Sequence, residues 1–262
     1  MEKKYELTED TTFFLGKALH RIRALRSFSN VKKGAIGGYV ETEDNLSHQG
    51  KAWVYDSTQV FGNARVYGNA RVFDSTQVFG NAWVYSDAQV YGNARVYGNA
   101  QVYGDAQVYS DALVFGNARV YGNARVCEDA QVYGSAQVYG NAWVYGNARV
   151  YGNARVCEDA QVFGNAQVYG NAWVYEDARV YGNARVCGIK RSDGYSFVYV
   201  MCKDGQKRVL AGCRYFTMEE AREHWHKTRG GTPLGKETMF ILDLLEAQDM
   251  HLQSYLGSNL YN

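Results

Sequence analysis

Histidine is the side chain best suited to acid–base or zinc chemistry near neutral pH. The chain has five histidines: His20, His48, His224, His226 and His251. None of them lies in the long central segment, residues 54–186. The sequence therefore predicts that this segment holds neither a general base nor a zinc site, and that the chain is not an enzyme.

The strongest candidate metal site combines His224, His226 and Cys213 near the carboxyl end. A predicted helix carries the two histidines on either side of Trp225. Side chains two residues apart on a helix point in different directions. We therefore interpret them as surface histidines that flank a core tryptophan, and we predict no metal and no other cofactor.

The five cysteines are odd in number and widely spaced. This pattern is typical of reduced thiols, which predicts a cytoplasmic protein. Because 28 Lys and Arg residues balance 27 Asp and Glu residues, we expect no generic nucleic-acid binding. No apolar run approaches the length that a membrane-spanning helix needs, and no signal-like segment opens the chain. We therefore expect neither a membrane span nor a signal peptide.

A six-residue repeat without insertions fills the chain from residue 52 to residue 186. Valine occupies every sixth position from Val54 to Val186, 23 valines in all. With valine as position one, position two is Tyr, Phe or Cys, and position three is mostly Gly. Position four is Asn, Asp or Ser, position five is nearly always Ala, and position six is mostly Arg, Gln or Trp. Such a repeat predicts a solenoid of stacked units.

Each hexad reads as a very short strand followed by a corner. Ala and Val lie two residues apart, so both point to the same side of a strand, and they make a small, dry inner face. Gly-Asn, Glu-Asp and Ser-Asp pairs tolerate left-handed backbone conformations and bend the chain. A single hexad cannot bury its valine, whereas stacked coils can.

The pattern Val-x-Gly-Asn-Ala-x resembles the hexapeptide rule of left-handed parallel β-helices. That resemblance implies an all-β solenoid of triangular coils with three hexads in each coil. Two features of the sequence favour three hexads. The segment Asp-Ser-Thr-Gln-Val-Phe-Gly starts at both Asp56 and Asp74, and an 18-residue coil places no position-six arginine on another. Cys127, Cys157 and Cys187 then lie on three different faces, so they mark a duplicated block and not a site.

Both flanks of the repeat differ from it in kind. Residues 1–35 are predicted to cap a solenoid that spans residues 36–187, and residues 19–25 alternate as a strand does. Residues 188–262 are predicted to form a small α+β cap with two strands, 195–203 and 206–215, and then two helices. Thr217 opens the first helix, which runs to about Thr228. The second helix has a predicted apolar face made of Phe240, Ile241, Leu244 and Leu245.

Stacking of such coils aligns the position-two side chains into three ladders, each aromatic except for one cysteine. Stacked rings stabilise neighbouring strands by roughly 0.2–1 kcal/mol per pair. A large aromatic surface is also typical of an interface, which predicts a homo-oligomer. Both interpretations stay open.

Tryptophan and arginine at position six form four predicted pairs one coil apart. Arginine over an indole is stabilising, and the same side chains suit a planar or anionic ligand or a host protein. We predict these residues as the binding site: Trp53 with Arg71, Trp83 with Arg65, Trp143 with Arg125, and Trp173 with Arg155.

Acidic residues also stack on one another one coil apart, although like charges repel. The densest predicted corner gathers Glu158, Asp159, Glu176 and Asp177. Calcium suits such a set of oxygens. The alternative, which we favour, is that these acids serve the turn as asparagine does.

The flanks resemble a group of phage, prophage and enterobacterial hexapeptide-repeat proteins. Val31-Lys-Lys-Gly-Ala-Ile-Gly-Gly-Tyr-Val-Glu, with Asn45-Leu-Ser and Ala52-Trp-Val, resembles their entry to the solenoid. Arg229-Gly-Gly-Thr-Pro-Leu-Gly-Lys-Glu-Thr resembles a tail that some of them carry. Those proteins are mostly uncharacterised and are often labelled acyltransferases or polymer-forming proteins.

Three functions follow as expectations. We favour a non-enzymatic scaffold or binding protein, encoded by a phage or prophage and located in the host cytoplasm, that acts through its aromatic faces or its carboxyl-terminal unit. An acyltransferase relative is the first alternative. It predicts acyl-CoA binding between subunits and a histidine supplied by a flank, because acyltransferases of this fold use a histidine as base. A phage protein that sequesters a host defence factor or its signal molecule is the second.

Overall fold

A computed structural model describes residues 2–212 and 214–258, with side chains described up to position 247. The chain opens with an antiparallel hairpin, β1 (Tyr5–Phe14) and β2 (Lys17–Ala24). Strand β3 (Ile36–Val40) pairs antiparallel with β2 and enters the parallel solenoid beside Gln59–Val60. A short 3-10 helix, Glu43–Asn45, follows it.

The central segment is a β-solenoid of about eight coils, in which each strand pairs in parallel with the strand three hexads along. Val54 pairs with Val72, and Val102 pairs with Val120. The strands form three faces, so the three-sided coil of three hexads expected from the sequence is confirmed.

We name each face after the first residue of its first hexad strand. The Trp53 face holds β4 (Trp53–Val54), β7 (Arg71–Val72), β10 (Gln89–Val90), β13 (Gln107–Val108), β16 (Arg125–Val126), β19 (Trp143–Val144), β22 (Gln161–Val162) and β25 (Ala178–Val180). The Gln59 face holds β5 (Gln59–Val60), β8 (Gln77–Val78), β11 (Arg95–Val96), β14 (Leu113–Val114), β17 (Gln131–Val132), β20 (Arg149–Val150), β23 (Gln167–Gly170) and β26 (Arg185–Lys190). The Arg65 face holds β6 (Arg65–Val66), β9 (Trp83–Val84), β12 (Gln101–Val102), β15 (Arg119–Val120), β18 (Gln137–Val138), β21 (Arg155–Val156) and β24 (Trp173–Val174).

The interior of the solenoid is dry and nearly uniform. Every position-one valine from Val54 to Val174 is fully buried, and so is every position-five residue from Ala52 to Ala178. Backbone N–H groups of one coil donate to carbonyls of the next, as Arg119 does to Ala136 at 2.9 Å. Small inner side chains keep the three faces close, and the coil-to-coil hydrogen bonds satisfy the backbone.

Corners turn at position three, where the backbone is left-handed. Gly122 has φ +69° there. Seven position-three residues in the solenoid are not glycine but have the same sign of φ: Asp56, Asp74, Ser86, Ser110, Glu128, Glu158 and Glu176.

The acidic members of this set use their carboxylates to bind the next coil. Glu128 Oε2 accepts the N–H of Gly146 at 2.8 Å, and Glu158 Oε2 accepts the N–H of Glu176 at 2.8 Å. Asp74 does the same for Gly92 at 2.9 Å. These hydrogen bonds offset the strain of a left-handed corner, and at Glu158 the residue bound one coil along is itself an acid, Glu176.

Amide ladders run along the corners at position four. Asn63 Nδ2 donates to Asn81 Oδ1 at 3.0 Å. In the same way, Asn81 donates to Asn99 and Asn99 donates to Asn117, both at 2.9 Å. Asparagine is therefore favoured at this position because each amide both donates and accepts along the rod.

Aromatic ladders line all three faces at position two, as the sequence predicts. On the Gln59 face, Phe61, Phe79, Tyr97 and Phe115 stack with centroids 4.9–5.0 Å apart and planes within 1°. The ring spacing matches the distance between neighbouring strands. Within each uninterrupted run, an inner ring such as Tyr85 has stacked rings on both of its faces, whereas the rings beside Cys127 and Cys157 stack on one side.

The carboxyl-terminal unit packs β27 (Ser196–Cys202), β28 (Lys207–Ala211) and β29 (Arg214–Phe216) against helices α1 (Met218–Arg229) and α2 (Pro233–Ser258). Three strands stand where two were expected, because the chain reverses after Ala211 at Gly212, which has φ +64°. The capping box at Thr217 is confirmed. Neither helix, as far as the structure describes it, is apolar enough over sufficient length to cross a membrane.

Both helices pack on the strands of this unit, and α2 does so through one face. Ile241, Leu242 and Leu245 are buried, whereas Phe240 is 69% exposed and Leu244 is 39% exposed. The predicted single apolar face is therefore wrong: the helix turns Phe240 and Leu244 to solvent and buries Leu242 instead.

Arg191 is buried and connects the end of β26 to helix α2. Its guanidinium donates to Thr238 Oγ1 at 2.8 Å and to Asp193 at 2.7 Å, and it lies 5.1 Å from the Tyr195 ring. The hydrogen bonds from Arg191 lower the pKa of Asp193 to about 2. The buried cation is thus fully paired and serves stability.

Two variants of Glu128 separate the strain of the left-handed corner from the hydrogen bond of the carboxylate. E128A removes the carboxylate but keeps a Cβ at φ +59°, whereas E128G removes both the carboxylate and the strain. A left-handed residue other than glycine costs roughly 1–2 kcal/mol. E128G should therefore be more stable than E128A by about 1 kcal/mol in urea unfolding, with wild type at or above E128G. Equal or reversed stabilities of the two variants would contradict the account.

Candidate functional site

The strand register brings together each predicted tryptophan–arginine pair. Trp53 is opposite Arg71, Trp83 opposite Arg65, Trp143 opposite Arg125, and Trp173 opposite Arg155. A guanidinium lies over an indole in one of them: Arg155 is 5.8 Å from the Trp173 ring centroid. For the other three pairs, the described side chains show adjacency without a ring contact.

Trp53 leaves the solenoid wall as predicted but does not reach solvent. It is 1% exposed, because Phe28 and Tyr5 cover it with their centroids 5.4 and 6.2 Å away. The hairpin flank uses this indole as its core, so Trp53 anchors the flank and offers no outer binding surface, whereas its neighbour Arg71 stays exposed.

Trp143 and Trp173 fill gaps in the aromatic ladders. The Trp143 indole N–H points to Cys127 Sγ at 3.2 Å, and Trp173 does the same to Cys157 at 3.2 Å. Both cysteines are 2% exposed. A cysteine is small enough to leave room beside the ladder, and the indole from the next coil occupies that room.

This pairing accounts for Cys127 and Cys157, whereas Cys187 has Lys203 at the matching position. A cysteine at position two and a tryptophan at position six, two hexads later, occur together twice, as Cys127 with Trp143 and Cys157 with Trp173. Burial raises the pKa of the Cys157 thiol, which disfavours the nucleophilic thiolate. These tryptophans are packing elements, and the sequence signal for them was the correlated pair.

Trp83 differs from the other three tryptophans because it is 40% exposed. It borders an open groove of about 490 Å³ at the amino-terminal end of the Arg65 face. We call this the N-terminal groove and define it by Asp44, Ser47, His48, Arg65, Tyr67 and Trp83. Tyr67 contacts Trp83 at a steep angle, with centroids 6.3 Å apart, and no described ring stacks on Trp83. Trp83 and Arg65 are thus the predicted pair that lines a concave site.

An irregular first coil creates the groove. Val54 pairs with Val72 at the regular spacing of three hexads. Val40 instead pairs with Val60, and Leu46 bridges to Val66, so each of these partners lies two residues further along the chain than three hexads. Two additional residues therefore lie between Leu46 and Val54. The sequence pattern missed them, because Ala52 continues the spacing of six from Leu46 but occupies position five.

Asn45 fixes the wall formed by the additional residues and the 3-10 helix. Its Oδ1 accepts the N–H of Glu41 and of Thr42 at 3.1 and 2.9 Å, and its Nδ2 donates to the carbonyls of Gly62 and Ala64 at 3.0 and 2.9 Å. All four hydrogen-bonding positions of this buried amide are used. The acidic segment at Glu43–Asn45 is therefore held rigidly against the first coils.

His48 is the one histidine that borders the N-terminal groove. Its Nδ1 accepts the Lys4 backbone N–H at 3.2 Å, which places the proton of the neutral ring on Nε2, 3.4 Å from Glu43 Oε2. Tyr5 stacks on the ring with centroids 4.4 Å apart. Both nitrogens are engaged, so His48 braces the wall and has no lone pair free for a substrate.

Charges around this wall are mostly paired. Lys3 and His48 contact Glu43, and the Lys3 hydrogen bond lowers the pKa of Glu43. Lys4 is fully buried and donates to the Ala52 carbonyl at 2.7 Å, and burial lowers its pKa to about 8. Among the described residues, Asp44 and Arg65 make no ion pair, so they are the free charges of the groove.

The acidic corner is engaged in hydrogen bonds. Glu158 accepts the Glu176 N–H at 2.8 Å, Asp159 accepts from Asn141 at 3.1 Å, and Asp177 accepts from Tyr215. No group of three side chains able to ligate a metal occurs in the described part of the chain. The geometry supports the turn interpretation.

Of the two histidines of α1, His226 is on the surface as the sequence predicts, whereas His224 is half-buried. Trp225 is 3% exposed, His226 is exposed, and His224 packs on Phe216 with centroids 5.0 Å apart. Cys213, the third member of the candidate metal site, lies outside the described residues.

A double-mutant cycle tests the cysteine–tryptophan pairing. C127Y adds a ring where Trp143 lies, so it should destabilise the protein by about 1–3 kcal/mol through overpacking. W143Q supplies the common position-six residue and makes room for that ring, so C127Y/W143Q should recover most of the loss. Urea unfolding of the four proteins measures the coupling. Additive effects of the two changes would contradict a shared space.

The repeat itself matches a known family model, and no curated protein matches the chain. The model is described as YdcK Beta solenoid repeat, and it matches residues 58–72, 64–80, 88–104, 118–134, 136–150, 142–158 and 160–176. All seven segments lie within the coils described above. The chain is thus a β-solenoid repeat protein whose coils are similar to the YdcK beta-solenoid repeat.

Proposed function

We propose that this protein is a non-enzymatic binding scaffold, in which a rigid solenoid presents the N-terminal groove to a small planar or anionic ligand. The exposed face of Trp83 carries the proposal. An indole that is 40% exposed beside a preformed groove is apolar surface that a ligand can cover. The resemblance to phage and prophage proteins supports a role in a host cytoplasm.

The aromatic ladders support the scaffold part of this function. Stacked rings on the three faces leave only ring edges and hydroxyl groups to solvent along most of the rod. Rings whose faces are covered cannot stack on a ligand. The ladders therefore stiffen the rod, and binding is assigned to Trp83, the exposed aromatic residue that borders the N-terminal groove.

The state of His48 supports binding over acyl transfer. An acyltransferase of this fold needs a histidine with a free nitrogen as general base. A flank does bring His48 to the groove, as the acyltransferase alternative requires, but Lys4 and Glu43 engage its two nitrogens. Deprotonating a substrate there would first break one of these contacts.

Self-association is part of the proposal. Phe240 and Leu244 form an exposed apolar pair one turn apart on α2. Repeated tyrosine edges on the solenoid faces offer further contact surface. Both features suit contact between identical chains.

Native mass spectrometry of protein purified from its host tests this function. The expected spectrum shows more than one chain and a retained small molecule. W83Q should lose that molecule, whereas W143Q, the same change outside the groove, should keep it. Trp83 and Trp143 both occupy position six of a hexad, where Gln is common, so both variants should fold.

Either of two results would overturn the proposal. One is a monomer without a retained species. The other is a wild-type protein that transfers an acyl group from acyl-CoA, detected as release of free coenzyme A.

A further inference from the structure

We infer that the N-terminal groove binds a guanine nucleotide, with the base on Trp83, the base edge at Asp44 and the phosphate at Arg65. This inference rests on the proposed function and names its ligand class. It follows from three features of the groove: an uncovered aromatic face, a free carboxylate and a free guanidinium, which are carried by two rigid walls.

The aromatic face selects a planar ligand. Trp83 is 40% exposed and lines the groove, and the Tyr67 ring lies at 76° to it and does not stack on it. Every base has a face that stacks on an aromatic side chain, and such stacking is sequence-tolerant. The volume of about 490 Å³ lies in the range of pockets for small ligands. Stacking alone therefore admits any nucleobase.

The carboxylate selects among the bases. Asp44 is exposed and has no ion-pair partner among the described residues, whereas the neighbouring Glu43 is paired with Lys3 at 2.6 Å. A carboxylate accepts hydrogen bonds from amino groups on base edges. Guanine presents two adjacent donors, a ring N–H and an amino group, which match the two oxygens of one carboxylate. Adenine, uracil and hypoxanthine lack that donor pair.

The guanidinium selects an anionic group beyond the base. Arg65 is exposed and unpaired in the described part of the chain, and it lies next to Trp83 in the strand register. A guanidinium matches a phosphate through two parallel hydrogen bonds. Arg65 and Asp44 also border a second hollow of about 320 Å³, whose Lys17 is paired with Glu41 at 2.7 Å. Arg65 thus lies between the N-terminal groove and this second hollow, unpaired among the described residues, and a phosphate can fit beside it.

Other ligand classes fit this set less well. A cationic ligand suits Trp83 and Asp44 but meets Arg65 on the same wall. A sugar phosphate suits Arg65 and Trp83 but offers no adjacent N–H donors to Asp44. The guanine nucleotide uses all three groups at once, and the sugar phosphate becomes an outcome of the test.

Calorimetric titration of the full chain at low salt is the test, with guanosine monophosphate as the probe. Guanosine monophosphate should bind at least about tenfold more tightly than adenosine, uridine or inosine monophosphate. W83Q should weaken binding about tenfold or more, as expected for loss of a stacked base. W143Q is the matched control and should leave binding unchanged.

Two further variants assign the polar groups. R65Q should weaken guanosine monophosphate but not guanosine, and R119Q, on the same face three coils along, should change neither. D44N should remove the preference for guanine over adenine, whereas D105N should preserve it. The thermal midpoint of each variant should match that of wild type, which separates lost binding from lost folding.

Several results would overturn the inference. They are equal binding of ribose 5-phosphate and guanosine monophosphate, equal binding of adenine and guanine nucleotides, or no binding at millimolar nucleotide. If any of these occurs while W83Q still loses the species retained in native mass spectra, the ligand class is wrong and the scaffold function stands. If W83Q and W143Q retain that species alike, the groove itself is not the binding site.

Discussion

Register between coils is the constraint on which the whole structure depends. Each inner valine must lie on the valine three hexads away, because only then do the strands of each face exchange hydrogen bonds and the interior stay dry. Burying a valine side chain contributes about 1.5–3 kcal/mol. That gain is repeated in every hexad, and it depends on corners that turn by the same angle. The left-handed position three, the asparagine ladders and the stacked rings all act to keep the turn constant.

Much of this could be predicted from the sequence, because the structure of one hexad repeats in every coil. The 18-residue spacing of Val54 and Val72 determines which residues of neighbouring coils are adjacent. The aromatic ladders and the tryptophan–arginine pairs follow from that spacing. Where the repeat is unbroken, a wrong residue changes a side chain but not the path of the chain. The stacked acids were harder to predict, since their carboxylates bind backbone N–H groups one coil away and local propensity does not reveal that partner.

The candidate site was harder still, because it arises where the repeat fails. Position six alone made Trp53, Trp83, Trp143 and Trp173 equivalent. The amino-terminal hairpin covers Trp53. Trp143 and Trp173 each pack beside a cysteine of the preceding coil. Trp83 cannot pack in the same way, because the matching residue one coil earlier is Tyr67 and not a cysteine, and it borders the irregular first coil. The cysteine–tryptophan pairs were present in the hexad pattern, whereas the contact of the hairpin with Trp53 depends on a segment outside the repeat.

In the proposed function, the ligand binds where the regular repeat is interrupted. The rod supplies rigidity, and the groove supplies a free indole and two free charges held on walls that do not need to reorganise. A cysteine pair tests the central register most directly. In a background where the native cysteines are replaced by serine, Q101C/R119C places two cysteines opposite each other on neighbouring parallel strands, three hexads apart. Strands about 4.8 Å apart meet the geometry of a disulfide. The account predicts that mild oxidation crosslinks Q101C/R119C and leaves Q101C/R125C, four hexads apart, unlinked; the reverse pattern would contradict it.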